Sequence, residues 1–198
     1  MSAKFAKFEL KNLRLPHPSP IGPSDLQIDP IKISSVIIII GWNSSTEQNE
    51  ILLTKRTQHV ETHKGQISFP GGFYETHDEN LLKTALREFE EECGAKSSDV
   101  EVIGSLGPVE TRNQVMIYPW VGSMKFPYSF TINPSEVERL LYLPVSELIE
   151  VGLKSTDVQV GSYRVKSLAI EVDQELVWGA TAAMLNQLRK YLVPNSAP

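Results

Sequence analysis

The chain is poor in several features that would have decided its class at once. It has one cysteine, Cys93, so no intrachain disulfide forms and a reduced, cytoplasmic setting is expected. It has no long apolar run. The longest, VIIIIG at Val36–Gly41, falls far short of the roughly 20 residues that cross a bilayer, and reads as a buried strand of a soluble protein. The opening MSAKFAKFELKNLRLPHP carries early lysines but no long apolar segment or small-residue cleavage site, so no secretory signal is expected. Positive charge is also scarce. A formal net charge of −5 argues against a nucleic-acid partner, whose phosphates need a basic surface. It leaves room for a small phosphorylated ligand, because a bound metal supplies the missing charge.

What is present suffices for one domain: 198 residues bury a sizeable core. Residues 1–30 are set apart by prolines at 16, 18, 20, 23 and 30, which resist both helix and central strand. They read as a Pro-rich N-terminal arm, with a short amphipathic segment at Phe5–Leu15, lying over a domain at 31–198. Within that domain the β-branched segments 31–42, 51–56, 67–69, 100–106 and 115–124 read as strands, and YSFTI (128–132) as another. NPSEVERLLYLPVSELIEVG reads as short helical turns around Pro144. VQVGSYRVKSLAIEV reads as a hairpin, and residues 178–192 as a closing helix that buries Ala180, Ala183, Met184 and Leu188. Strands, one helix mid-chain and one at the end predict an α/β fold with a mixed β-sheet sandwiched between α-helices.

The stretch GGFYETHDENLLKTALREFEEECGA (71–95) carries the chemistry. Thr76 and Glu79 have capping-box spacing, with Asp78 a rival N-cap. Leu81, Leu82, Ala85, Leu86 and Phe89 form one apolar stripe, and Gly94 stops the helix. Glu88, Glu91 and Glu92 are spaced i, i+3, i+4, so they share a face away from that stripe. Arg87 is placed to pair with Glu79 or Glu91 and tie the glycine loop to the helix. A solvated acidic face is the plain reading. Acids in the last turns oppose the helix dipole, however, which favours cations there. Clustered carboxylates suit a hard divalent ion that bridges phosphates, and Gly71–Gly72 lets backbone approach that ion closely.

These residues resemble the Nudix hydrolases, whose box reads G-x5-E-x7-R-E-U-x-E-E-x-G-U. Gly72, Glu79, Arg87, Glu88, Phe89, Glu91, Glu92, Gly94 and Ala95 supply it. Six residues rather than five separate Gly72 from Glu79. Asp78 stands at the five-residue spacing but misses the distance to Arg87, so an extra loop residue is expected. Upstream, LLTKRTQHVETHKGQISFPGG (52–72) resembles the pattern of the coenzyme A pyrophosphatase branch, L-L-T-x-R-[SA]-x3-R-x3-G-x3-F-P-G-G. Thr57 replaces Ser or Ala there, and Glu61 replaces Arg, reversing a charge. The segments 133–148 and 177–185 also resemble that branch, so the resemblance covers roughly 31–192.

The resemblance implies a Nudix fold and metal-dependent hydrolysis of a nucleoside diphosphate linked to another group. Glu88, Glu91 and Glu92, with Gly72, would hold Mg²⁺ or Mn²⁺, and Arg87 would support them. The general base stays open among Glu88, Glu110 and Glu136. Arg56, Lys64 and Arg112 are candidate phosphate contacts, with Gly71, Gly72 and Phe73 lining the substrate cleft beside Tyr74. His59, His63 and His77 lack zinc-ligand spacing, and Cys93 has no paired histidine for a nucleophilic role. The leading substrate is coenzyme A or an acyl-CoA, cut to 4′-phosphopantetheine (or its acyl form) and 3′,5′-ADP. The alternatives are ADP-ribose, nucleoside-diphosphate sugars or nucleoside triphosphates, and a non-catalytic nucleotide-binding module. A homodimer that exchanges the arm is left open.

Overall fold

The computed structural model describes residues 10, 13–17, 22, 32–58 and 64–193. Its centre is β1 (Ile33–Asn43), the apolar run. Side chains on a strand alternate between faces, and here both faces are covered. Ile37 and Ile39 enter one core, with Ala85, Phe89, Cys93 and Trp120. Ile38 and Ile40 enter the other, with Leu148, Met184, Leu185 and Leu188. A run of four isoleucines is what a strand buried on both sides requires.

Around it, β2 (Gln48–Arg56) is the antiparallel hairpin partner, followed by β3 (Ile67–Ser68) and β4 (Gly71–Phe73). The acidic helix α1 (Leu81–Cys93) packs over one face of the sheet. Then come β5 (Glu101–Ser105), β6 (Val109–Glu110) and β7 (Met116–Ser123), with β7 parallel to β1. β8 (Val137–Pro144) pairs with β2, and the short α2 (Val145–Glu150) follows. The main path of the large sheet runs β3-β2-β1-β7-β5. A second sheet, β9 (Lys154–Val160), β10 (Tyr163–Val172) and β11 (Glu175–Trp178), leads into α3 (Gly179–Leu192). α2 and α3 cover the opposite face from α1. The expected mixed sheet between helices is therefore the observed fold.

Several local expectations are corrected. Residues 137–144 are a strand, not helical turns: Val137, Leu141 and Leu143 are buried in alternation and the backbone pairs with β2. YSFTI forms no strand. Tyr128 and Phe130 instead stack in an aromatic cluster with Phe126, Phe89 and Tyr142 over α1. α3 buries Ala182 and Leu185 beside Met184 and Leu188, with Ala180 only partly covered. Of the arm, Leu13 and Leu15 are buried against the core, and the Ser105 amide of β5 donates to the Pro16 carbonyl at 2.9 Å. The remainder of the Phe5–Leu15 segment, apart from Leu10 and residues 13–15, lies outside the described residues. Among the described residues, no helix is long and apolar enough to cross a membrane.

Candidate active site

β1, β2, β4 and α1 deliver the charged groups to one place. β4 pairs with the start of β1, Gly72 opposite Ser35 and Gly71 opposite Val36, and Ser34 Oγ donates to the Gly72 carbonyl at 2.9 Å. This strand lies directly against α1. A Cβ on Gly72 would stand 2.4 Å from Cδ and Oε1 of Glu88. The space a side chain would take is filled by the Glu88 carboxylate.

α1 begins four residues later than its capping-box spacing suggests. Asn80 is the N-cap, its Oδ1 accepting from the Lys83 amide at 3.0 Å, and Thr76 and Glu79 are exposed. Asp78 is turned inward, only 7 % exposed. It receives Arg87 fork to fork, Nε to Oδ1 at 2.9 Å and Nη2 to Oδ2 at 3.0 Å. Arg87 Nη1 donates to Glu88 at 2.8 Å and Glu91 at 3.2 Å, and Nη2 also donates to the Phe73 carbonyl at 3.2 Å. All five guanidinium N–H donors are engaged. Arg87 thus ties the glycine loop to the helix as expected, but through Asp78 rather than Glu79. The acid at the five-residue spacing makes the contact, and the extra residue is absorbed at the helix start.

Electrostatics follows from this packing. Burial alone would raise the Asp78 carboxyl, but hydrogen bonds from Arg87 and the Glu75 amide bring it below the usual carboxylate range. The Arg87 guanidinium, held chiefly by Asp78, is raised further above its ordinary value. Burial raises Glu88, with Arg87 pulling the other way. Glu92 departs most. It is 1 % exposed, so it does not share an open face with Glu91. Among the described residues its side-chain partners are distant, Arg56 Nη1 and the Gly71 amide, both at 3.4 Å. Burial pushes its carboxyl up to about 8; Arg56 opposes this, while the charges of Glu88 and Glu136 add to it.

Glu136 reaches the cluster from a separate element, the turn 133–136 ahead of β8. The Asn133 amide donates to the Glu92 carbonyl at 2.9 Å, docking this turn on the end of α1. Glu110 is exposed on β6 opposite Met116 and is not among the charges that chiefly move Glu88 or Glu92. Arg56 stands beside Glu92, and its buried Nε has no hydrogen-bond partner among the described residues. Lys64 is exposed beside Gly65, whose amide donates to Thr57. Arg112 is exposed in the β6–β7 turn, and Phe73 is 53 % exposed beside Gly72. His77 is exposed beside Glu75. Cys93 is fully buried, and burial pushes its thiol up, away from a nucleophilic role. His59, Glu61 and His63 lie outside the described residues.

The donors around Glu92 are carboxylate and carbonyl oxygens, the ligand chemistry of a hard divalent cation. Among the described residues no three His, Cys, Asp or Glu groups stand as a ready-made cage. Arg87 engages an oxygen of Glu88 and one of Glu91. The fit rests on Glu92, a buried carboxylate whose countercharge in the fold is one long contact to Arg56, and on the close approach that Gly72 permits. Both are what a cation-binding acid cluster requires.

The NUDIX domain profile matches residues 33–161. A Nudix hydrolase of Photorhabdus laumondii, NudL, itself described as uncharacterized, is 33 % identical over 139 residues, covering 70 % of this chain and 74 % of the relative. Among solved structures, a MutT/nudix family protein from Enterococcus faecalis superposes with a TM-score of 0.53 at 11 % identity, covering 82 % of this chain and 62 % of that one. The Nudix hydrolase RenU from M. smegmatis gives 0.50 at 14 % identity, covering 65 % and 80 %. These two likenesses concern the fold alone.

Proposed function

Since the chain belongs to the NUDIX domain family and is a Nudix hydrolase, we propose that it cleaves the pyrophosphate of coenzyme A or an acyl-CoA, giving 4′-phosphopantetheine (or its acyl form) and 3′,5′-ADP. The observation that carries this reading is Arg56. It closes the LLTKR segment that resembles the coenzyme A branch, stands 3.4 Å from Glu92, and keeps a buried Nε without a partner among the described residues. A donor so placed suits a phosphate oxygen of the ligand.

Nudix hydrolases generally use divalent metal ions. Here Glu88, Glu91 and Glu92, with the Gly72 carbonyl, would hold Mg²⁺ or Mn²⁺. Such an ion supplies positive charge to the pyrophosphate oxygens and acidifies the attacking water. Arg87 holds Glu88 and Glu91 in register. Gly71–Gly72 brings backbone up to the pyrophosphate, and Phe73 offers an apolar surface at the rim. Glu136 accepts the proton of the attacking water at Oε2, since Oε1 is engaged by Asn133.

A second reading keeps this chemistry and changes the leaving group to that of ADP-ribose, a nucleotide sugar or a nucleoside triphosphate. Glu61, where the coenzyme A pattern has Arg, favours it. Incubation with Mg²⁺ or Mn²⁺ and, separately, CoA, acetyl-CoA, ADP-ribose, nucleotide sugars and nucleoside triphosphates decides between them by product mass, with Glu92→Gln as control. Release of 3′,5′-ADP from CoA, lost in the variant, is expected. Intact CoA alongside a cleaved nucleotide sugar overturns the substrate and keeps the hydrolase.

A further inference from the structure

The turn carrying Glu136 is organised around one side chain that the sequence motifs do not mark. Asn133 Nδ2 donates to Glu136 Oε1 at 3.1 Å. Its Oδ1 accepts from the Ser135 amide at 3.1 Å and from Ser135 Oγ at 2.6 Å. Its carbonyl accepts the amides of Glu136 and Val137, and its own amide donates to the carbonyl of Glu92. From the other side, the Thr57 amide donates to the Glu136 carbonyl at 2.9 Å, and Thr57 Oγ1 donates to the Ser135 carbonyl at 3.0 Å. The backbone of Glu136 is thus fixed between α1 and the end of β2, while its carboxylate has two rotatable bonds beyond Cβ. Asn133 is the side chain bonded to that carboxylate among the described residues.

We propose that Asn133 is a positioning residue for the reaction: it donates to one oxygen of Glu136 and thereby turns the other toward the space shared with Glu88 and Glu92. This rests on the reading of Glu136 as the proton acceptor. The bond has a directional logic. An amide donates to a carboxylate without adding charge, so it fixes the group while leaving its second oxygen basic. The same amide's Oδ1 accepts from the backbone N–H of Ser135, a bond that any residue at 135 other than proline keeps, and this fixes the flip and aims Nδ2 at Glu136.

Asn133→Asp separates the donor from the turn. Aspartate keeps the oxygen that accepts from Ser135 and every backbone bond, and replaces only Nδ2 with an anionic oxygen facing Glu136. Ser135→Ala does the reverse, removing a hydroxyl from Oδ1 and leaving Nδ2 in place. Steady-state kinetics are measured on whichever substrate of the panel is cut fastest, with Mn²⁺ affinity by electron paramagnetic resonance alongside. Asn133→Asp is expected to lower kcat about 10- to 100-fold with KM and Mn²⁺ affinity within about threefold, and Ser135→Ala to leave kcat within about twofold. Glu136→Gln is expected to be as impaired, and the double variant no worse than Glu136→Gln alone. Full activity of Glu136→Gln overturns the proton-acceptor reading. An impaired Glu136→Gln beside a fully active Asn133→Asp overturns the positioning role alone. Additive losses in the double variant, or a tenfold loss of Mn²⁺ affinity in Asn133→Asp, show that Asn133 acts by another route and likewise overturn it.

Discussion

Arg87 grips Asp78, not Glu79: two parallel hydrogen bonds at 2.9 and 3.0 Å join the guanidinium to a carboxylate that is almost completely buried. Removing one partner of such a pair strands the other's charge, which costs far more than the pair's net contribution. Asp78→Ala is expected to lower stability by about 2–4 kcal/mol in urea denaturation and to depress activity. Glu79→Ala, at an exposed site, is expected to stay within about 0.5 kcal/mol of the wild type. Equal losses for both would reject the assignment of the pair.

Glu92 makes stability depend on pH in an unusual direction. Its folded-state pKa is raised, to about 8 from an ordinary 4.5, so between those values the folded state binds more protons than the unfolded one. Stability then falls as pH rises through that window. The metal-free protein is expected to melt at lower temperature at pH 8 than at pH 5.5. Added Mg²⁺ or Mn²⁺ should raise the melting temperature more at pH 8, where less proton has to be displaced from the carboxylate than at pH 5.5. Calorimetry at the two pH values, with and without metal, checks both slopes.

The same group can be neutralised by mutation. Glu92→Gln keeps the shape and removes the buried charge, so it is expected to abolish hydrolysis while raising the melting temperature of the metal-free protein at pH 8 by roughly 2–6 °C. Loss of activity with a lower melting temperature would mean the charge is better compensated in the fold than its surroundings indicate.

Gly72→Ala places a methyl carbon 2.4 Å from the present position of Glu88 Cδ. Either β4 or the Glu88 side chain must move. A displacement of that size is expected to cost about 100-fold in kcat, with weaker Mn²⁺ binding measured by titration. Unchanged kinetics would show that Glu88 has room to shift without consequence.

Leu13 and Leu15 are buried, and Leu15 Cβ and the Pro16 carbonyl press on Gly104, whose missing Cβ would lie 2.7 and 2.6 Å from them. Leu15→Ala is expected to cost about 2–4 kcal/mol, read by denaturant unfolding, with little change in KM. A loss under about 0.5 kcal/mol would show that this contact contributes little to folding.

The parts of the fold that announce themselves in sequence are those where one pattern has one cause. The isoleucine run declares a strand covered on both faces, and the run from Arg87 to Gly94 declares the acidic helix. β8 is hidden because VERLLYLP also matches helical spacing; only its ladder with β2, far earlier in the chain, decides the matter. YSFTI has strand composition, but its rings are used to cover Phe89. At the site, the burial of Glu92 cannot be read from spacing, since Glu88, Glu91 and Glu92 differ only in what the sheet places over them. Asp78 carried a signal, its distance from Gly72, but Glu79 carried a competing one. Asn133 opens the segment 133–148, whose likeness to the coenzyme A branch assigns it no role; its bond to Glu136 comes from a turn folded against a helix end.

That helix end gives the architecture a further consequence. Gly94 adopts a left-handed conformation, φ +64°, and its missing Cβ would lie 2.4 Å from the Thr131 carbonyl; the Cys93 and Glu92 carbonyls then receive the amides of Thr131 and Asn133. The segment from Gly71 to Ala95 is therefore not a portable cassette. Grafted into another scaffold it would bring the acids of α1 and the arginine that binds Glu88 and Glu91. It would leave behind Arg56, Thr57, Asn133 and Glu136, which belong to the neighbouring strand and loop. Engineers seeking to transplant this chemistry should count the seam at residues 131–136 as part of the module.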